Sequence, residues 1–352
     1  MEIIKPGTRI DFVGKRNIAY TISLIMLAIS IFSLLLHGGP KLGVDFAGGT
    51  VIQIQAAQPV SIDSIRNGLV EVNLEGSAVQ QFGPAEDNAY LIRASSAIDT
   101  GTGFADELET LLSASTGTEI DIQRVEMVGP QVGKDLRAKA LYAMFYALIF
   151  IAIYISGRFE MKWALSAIMA LALTGAVYIF SLLNVSIPIL IIVALVVTLL
   201  LFWQLRLRYA MGAIVALIHD VIVTVGVFSL LDIELTLTVV AALLTIVGYS
   251  LNDTIIVFDR IRENQKRAHR RSTEEVINMS VNETLSRTIL TALTTLIVVL
   301  CLYFLGGDII HDFARALMLG VIIGTYSSIY VASPVLLFFR DEPAAATASA
   351  RA

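Results

Sequence analysis

Eight runs of about 20 mostly apolar residues occupy almost half of this sequence and constrain its fold more than any other feature. A helix that crosses a bilayer needs about 20 consecutive apolar residues, so each run is long enough to span a membrane. Soluble domains carry about 25% charged residues, whereas this chain carries 16%, which excludes a soluble globular protein. We therefore predict eight transmembrane helices. In chain order the runs are 18–36, 138–156, 163–183, 187–203, 209–231, 236–258, 286–305 and 313–339.

The charged and metal-binding residue types exclude further classes of protein. The net charge of −5 argues against binding to nucleic acid, which usually requires a basic surface. The single cysteine, Cys301, has no partner for a disulfide or a thiolate metal site. The four histidines are scattered singly, at positions 37, 219, 269 and 311. We predict neither a metal nor another cofactor.

The positions of the basic residues predict the orientation of the chain. Short loops on the cytoplasmic side of a membrane are enriched in Lys and Arg. Here such residues precede the first run and follow the second, fourth, sixth and eighth, while loops 184–186, 232–235 and 306–312 contain none. Both termini, 1–17 and 340–352, are therefore predicted to be cytoplasmic, the latter as a disordered tail. The first run could also be a signal peptide, but its length and the absence of a small-residue cleavage site favour an uncleaved anchor.

One segment, 37–137, has the composition of a soluble domain and lies on the outer side between the first two runs. Residues 50–55, 77–82, 89–93 and 120–128 have the pattern of strands. Residues 60–73 and 104–114 have helical spacing of apolar positions. The order strand-helix-strand-strand-helix-strand predicts an α+β, ferredoxin-like domain. It contains no Cys–His or Ser–His–Asp set, so we predict no enzyme.

A weak internal repeat suggests a duplicated hairpin within the membrane region. Residues 159–170 align with 205–216 at an offset of 46 positions and share four identical residues. Apolar membrane sequences also give such matches by chance, so both interpretations stay open.

Ionisable groups inside a span are costly and indicate function. Asp253 lies about 9 Å inside the sixth run at about 1.5 Å per residue, with Asn252 and Ser250 beside it as polar neighbours. Asp220 lies in the middle of the fifth run, and Arg287 begins the seventh. Two interpretations of Asp253 stay open: a role in carrying protons, and a hydrogen bond that packs two helices together. Arg287 also has two: the basic group nearest to Asp253, and an anchor at the cytoplasmic surface. For Asp220, a polar contact between helices is as plausible as a role with protons.

Five motifs follow one another along the chain: GVDFAGGT at 43–50, VGPQVG at 128–133, ALIHDV at 216–221, GYSLNDTIIVFDRIREN at 248–264 and SSIYVASP at 327–334. Together they resemble one family, the SecF subunits of the bacterial SecD–SecF protein-export complex, which is related to proton-driven RND permeases. The resemblance implies a subunit of the inner membrane with 37–137 in the periplasm. It also implies that, with SecD, the chain couples the proton-motive force to export of unfolded preproteins through the SecYEG translocon, with a YajC-like protein as a further partner and lipid around it.

The resemblance also implies roles for individual residues. Asp253 and Arg287, 34 positions apart, match the membrane Asp and Arg of the family's proton pathway, which face an Asp of SecD. We expect the outer domain to move at the glycine-rich junctions with its flanking segments. These junction residues are Gly43, Asp45, Gly48, Gly49, Gly129, Pro130 and Gly133.

One feature departs from the family. Residues 163–203 add two spans to the usual six, which preserves the orientation of everything that follows. Two other functions stay open: an RND-type exporter of small molecules, which would normally need larger outer domains, and a structural scaffold without proton coupling.

Overall fold

A computed structural model describes residues 9–339 with the exception of 73, 95–102, 184 and 268–270. The predicted cytoplasmic tail 340–352, and residues 1–8 of the predicted cytoplasmic N-terminal segment, lie outside the described residues. Within these ranges, eight helices are long and apolar enough to cross a membrane, which confirms the predicted number of spans. The helices are α1 (Arg16–Leu36), α2 (Val44–Ala47), α3 (Ile62–Glu71), α4 (Phe104–Thr116), α5 (Pro130–Glu160), α6 (Trp163–Leu182), α7 (Ile187–Gln204), α8 (Arg208–Leu230), α9 (Leu237–Arg267), α10 (Thr273–Leu305) and α11 (Asp308–Ser327).

Several membrane helices extend beyond the apolar runs. α5 starts at Pro130, where proline's missing N–H costs nothing because the first helical N–H groups have no intrahelical partner. α10 starts at Thr273 and continues without a break into the predicted seventh span. Ser272 begins this helix as the N-cap of a capping box with Glu275. The polar first turns of α10 therefore belong to the same continuous helix as the predicted seventh span.

The outer domain is a four-stranded antiparallel sheet with two helices. Its strands are β1 (Gly49–Ala56), β2 (Ala78–Phe82), β3 (Ala89–Ala94) and β4 (Ile120–Val128), in the order β2-β3-β1-β4. Alternate residues of the central strands, such as Ile52, Ile54 and Ile92, are fully buried against Leu108 and Leu112 of α4. Together with α3, this arrangement confirms the predicted ferredoxin-like domain.

The membrane bundle is built around α8, which contacts α1, α5, α9 and α11. Gly226 lets α1 approach α8 closely, because a Cβ there would lie 2.1 Å from the Cβ of Ser30. Gly320 and Gly324 likewise allow α11 to pack on α9, which is the close packing that small residues permit in membranes. α10 differs from these central helices because the rest of the chain covers little of it. Only 11% of its most apolar stretch of 18 residues is buried.

The additional hairpin, α6 and α7, packs against α5 and α8 at one side of the bundle. Its two ends lie next to each other. A carboxylate oxygen of Glu160 accepts a hydrogen bond from the backbone N–H of Tyr209 at 3.0 Å, and the Lys162 ammonium donates to the carbonyl of Leu205 at 3.1 Å. The chain therefore leaves the end of α5, crosses the membrane twice and returns to almost the same place. That the hairpin arose by duplication stays a prediction.

Candidate functional site

Asp253 lies in the middle of α9 with a side chain that is completely buried. Neither of its carboxylate oxygens has a hydrogen-bond partner in the described part of the chain. A buried polar group without a partner costs free energy and is rare in folded proteins. Such a group persists where it has a function, such as receiving a proton or a partner side chain.

Arg287 lies on α10, across from this part of α9, and is exposed in the isolated chain. The two side chains form no ion pair within 4.0 Å, although the guanidinium charge is near enough to act on Asp253. The structure therefore brings the predicted pair to the same region without joining it. The neighbouring Thr288 is buried, and its hydroxyl has no hydrogen-bond partner among the residues described.

Tyr249 adds a third polar group to this region. It lies one helical turn before Asp253, and its buried hydroxyl faces Thr295 of α10 without a hydrogen bond of ordinary geometry. Tyr249, Asp253 and Thr288 thus place three unsatisfied polar groups where α9 meets α10. Groups of this kind are commonly satisfied by buried water.

Ser250, which the sequence suggested as a neighbour of Asp253, instead binds Asp220 on α8. Its hydroxyl donates to the Asp220 carboxylate at 2.6 Å, and the Ser327 hydroxyl of α11 donates to the same oxygen at 2.8 Å. His219 Nδ1 lies 3.0 Å from the other oxygen. Asp220 therefore joins α8, α9 and α11. Asn252, the other predicted neighbour, is exposed on the bundle surface.

The serine-rich motif of the last span makes two contacts with neighbouring helices. Ser327 binds Asp220, and the hydroxyl of the next residue, Ser328, lies 3.0 Å from that of Thr254 on α9. From Ser328 to Ala332 the helix widens into a π-helix. Such segments are rare and frequently occur at functional sites. The motif indicated that this region matters, but its spacing alone did not indicate which helix it contacts.

The glycine-rich junctions of the outer domain meet in one place. Gly48 has φ +77°, a conformation that favours glycine, and a Cβ there would lie 2.9 Å from the Cα of Pro130. A Cβ on Gly133, in the first turn of α5, would lie 3.1 Å from the backbone of Gly48 and of Phe46. The two predicted junctions thus form one closely packed joint between α2 and α5.

Asp45, in the same short helix α2, reaches across to α9. Its carboxylate accepts a hydrogen bond at 2.8 Å from the backbone N–H of Leu237, the first residue of α9. Beside it, Leu42 pairs with Leu235 as a parallel β-bridge. The N–H of Gly43 donates to the Leu235 carbonyl at 2.9 Å, and the N–H of Leu235 donates to the Lys41 carbonyl at 2.7 Å. The helix that carries Asp253 is therefore held at its outer end by the outer domain.

Two ion pairs flank this contact. Arg93 of β3 lies 2.8 Å from Glu234, with both side chains largely buried, and Lys41 lies 2.7 Å from the exposed Asp232. Burial raises the pKa of Glu234 above its usual value, against the opposing effect of the Arg93 and Lys41 charges. The hydrogen bond from Lys41 lowers the pKa of Asp232. Sequence reasoning missed these residues, because it used the loop 232–235 only to infer orientation.

Two family models match the chain. The C-terminal region of the protein export membrane proteins SecD and SecF matches residues 108–200 and 180–342, and the SecD/SecF GG motif matches residues 33–60. The GG-motif match contains α2 with Asp45 and Gly48, and the α5 side of the joint lies within the C-terminal match.

Individual relatives agree with these matches. The chain is 39% identical to the protein translocase subunit SecF of Desulfurispirillum indicum, over 94% of this chain and 92% of the relative. It is 40% identical to SecF of Magnetococcus marinus, over 96% and 94% respectively.

The fold is similar to that of a solved structure, the translocon-associated membrane protein SecDF of Thermus thermophilus. The TM-score is 0.73 at 31% sequence identity, covering 94% of this chain. The match covers 39% of the SecDF polypeptide, so this chain corresponds to about two fifths of that protein. The matched families, the relatives and the shared fold lead to one conclusion: the chain belongs to the SecF family of protein-export membrane proteins.

Proposed function

We propose that this chain, together with a SecD-like subunit, uses the proton-motive force to assist the export of unfolded preproteins across the inner membrane. The observation that carries the proposal is the unpaired, buried carboxyl of Asp253 on a helix whose outer end is held by the outer domain. A proton that binds Asp253 changes its charge, and the same helix carries the resulting displacement outward.

The SecD-like subunit packs against α10 and the adjoining face of α9 in this proposal. Two observations support this position. α10 is largely uncovered in the isolated chain, and Arg287 projects from it without an ion pair to any residue that the structure describes. An acidic side chain of the partner would complete the site opposite Arg287, since a buried or half-buried charge in a membrane needs a counter-charge. The SecYEG translocon and a YajC-like protein are further partners expected from the family.

The proposed orientation places both termini in the cytoplasm and residues 37–137 in the periplasm. It is supported by the basic residues at the end of α9, where Arg260 pairs with Glu263 and Glu283, and by the pairing of Arg158 with Asp259. These ion pairs lie at the opposite end of α9 from the outer domain. A proton entering from the periplasm therefore approaches Asp253 from the side of the outer domain.

The energy available is adequate for a change between two conformations. One charge that crosses a potential of 100 mV provides about 2.3 kcal/mol. A shift of a two-state equilibrium from mostly one state to mostly the other requires about 5.5 kcal/mol. Three protons per cycle, which provide about 6.9 kcal/mol at this potential, are therefore sufficient to move the outer domain between two positions.

The test compares Asp253→Asn with Asp259→Asn in the complex with its SecD-like partner, reconstituted with the translocon in vesicles. Asp259 is the matched control because it lies on the same helix, at the exposed cytoplasmic end. We expect Asp253→Asn to insert and copurify normally but to lose both proton flux and the stimulation of export by a proton gradient. Asp259→Asn should retain both. Normal stimulation in Asp253→Asn would leave a structural scaffold as the function instead.

A further inference from the structure

The short loop between α8 and α9 is attached to the outer domain at several independent points. We call this contact the outer clasp. On the domain side it comprises residues 41–45 and Arg93, and on the membrane side residues 232–237. The β-bridge, the cap on α9 and two ion pairs all lie within it. No other loop between membrane helices, in the ranges that the structure describes, makes this combination of contacts with the sheet domain.

The contacts of the clasp differ in kind. The β-bridge uses backbone groups alone and holds the loop against residues 41–43. The Asp45 carboxylate satisfies one of the first N–H groups of α9, which have no partner within the helix. Arg93 belongs to β3, an inner strand of the sheet, so its pairing with Glu234 connects the loop directly to the rigid part of the domain.

The position of the clasp makes it suitable for transmitting movement. α9 is a continuous helix of 31 residues, and Asp253 lies 16 residues after its first residue, Leu237. At 1.5 Å per residue this separation is about 24 Å. Helices transmit axial displacement as rigid elements, so a shift of α9 at Asp253 moves its outer end by a similar amount. The clasp passes this movement to the sheet without an intervening flexible loop.

We propose that the outer clasp stays closed through the working cycle and transmits the movement of α9 to the outer domain, with Asp45 and Glu234 as positioning residues. The proposal rests on the proposed function, because it needs a proton-driven movement of α9. It assigns to the α8–α9 loop a role that the glycine-rich joint alone does not have. In this proposal the outer domain rotates about the joint, and the clasp transmits to the domain the force that makes it rotate.

Opening the clasp should uncouple export from proton flux. We expect Asp45→Ala and Arg93→Gln to lose most of the stimulation of export by a proton gradient while proton flux through the complex remains at the wild-type level. Asp45→Asn should retain stimulation, since the amide oxygen of asparagine accepts the same hydrogen bond from the Leu237 N–H. The exchanged pair Arg93→Glu with Glu234→Arg should recover stimulation relative to either single charge reversal. Copurification of each variant with the SecD-like subunit shows that it has folded.

Locking the clasp tests whether it stays closed. Leu42→Cys with Leu235→Cys, in a Cys301→Ser background, places two thiols on bridged neighbouring strands. Such strands lie about 4.8 Å apart, within the Cα separation of about 4.4–6.8 Å that a disulfide requires. We expect the oxidised variant to export as well as the reduced one.

Three outcomes would overturn the proposal. Loss of export on oxidation, restored by a reductant, would mean that the clasp must open during the cycle. Normal stimulation in Asp45→Ala and Arg93→Gln would mean that the clasp transmits nothing. Loss of proton flux in these variants would mean that the clasp shapes the proton site instead. Failure of the proposed function gives a different result. It would appear as normal stimulation of export by a proton gradient in Asp253→Asn, a variant in which the clasp is intact.

Discussion

The hydroxyl of Ser250 lies 2.6 Å from the carboxylate of Asp220, one turn away on α9 from the unpaired carboxyl of Asp253. Asp220 and Asp253, the two fully buried acids among the described residues of the membrane bundle, therefore have opposite surroundings. Asp220 accepts hydrogen bonds from Ser250 and Ser327 and lies beside His219, whereas Asp253 accepts none among the described residues. A fully bonded carboxylate suits a structural role, and an unsatisfied one suits a group that changes its charge.

This contrast predicts different effects on stability. Asp220→Ala leaves the buried Ser250 hydroxyl without its acceptor, while the Ser327 hydroxyl still has the Gly324 carbonyl at 3.2 Å, so we expect a destabilisation of about 1–3 kcal/mol. Asp220→Asn should cost less, because the amide oxygen still accepts from Ser250. Asp253→Asn should leave the melting temperature unchanged or higher, since it removes an unpaired buried charge. Thermal unfolding in detergent measures all three, and equal losses at positions 220 and 253 would contradict the distinction.

The tight joint predicts which glycines tolerate a side chain. Gly48→Ala forces a positive φ on a residue with a Cβ and brings that atom against Pro130, so we expect a loss of about 1–3 kcal/mol. Gly133→Ala should also destabilise the joint, by a smaller amount. Gly129 is the matched control, because a Cβ there meets nothing within 4 Å and its φ is −63°. Thermal unfolding of the three alanine variants measures the order of their stabilities. A loss of stability in Gly129→Ala as large as in Gly48→Ala would contradict the prediction.

The buried carboxyl of Glu234 makes the outer clasp dependent on pH. Its raised pKa means that the closed clasp binds a proton more readily than the open one. The clasp is therefore strongest below the ordinary pKa of glutamate and weakens as the pH rises through the raised value. The other charged groups that act on Glu234 are Arg93, Lys41, Asp312 and Asp232. Asp232 has a lowered pKa and acts in the opposite direction, but its exposed pair with Lys41 contributes little.

Hydrogen exchange of the Leu235 and Leu237 amides, corrected for intrinsic rates, measures this dependence. Protection should decrease as the pH rises, and Glu234→Gln should remove most of the change. A wild-type profile that Glu234→Gln leaves unaltered would show that another group is responsible.

The adjacent ends of the additional hairpin predict that it can be removed. Replacing residues 163–204 by a short Gly/Ser linker should leave α5 and α8 in place, because Glu160 and Tyr209 are already in contact. We expect the shortened protein to insert, to copurify with its SecD-like partner and to retain stimulation that depends on Asp253. Its melting temperature should fall, since α6 and α7 bury apolar residues such as Val177 and Ala194. Loss of the partner on deletion would instead assign the hairpin to that interface.

The sequence was sufficient to predict the eight spans and the ferredoxin-like domain, because both depend on apolar patterns that are local. The placement of Ser250 was not predictable in this way. Ser250 and Asp253 are three residues apart and share one side of α9, but which neighbouring helix each one meets depends on the packing of α8, α10 and α11. The pairing of Arg93 with Glu234 joins residues 141 positions apart, in segments that have no common pattern.

The two ends of the hairpin are adjacent, and this adjacency affects how such a chain can change during evolution. Two crossings enter and leave at one point, where Lys162 and Leu205 are in contact. A segment of this kind can be gained or lost in a single genetic event without rerouting the polypeptide or reversing the sidedness of any later helix. This bundle therefore has a place, where the end of α5 meets the start of α8 and opposite the outer clasp, at which a pair of spans can be inserted or removed.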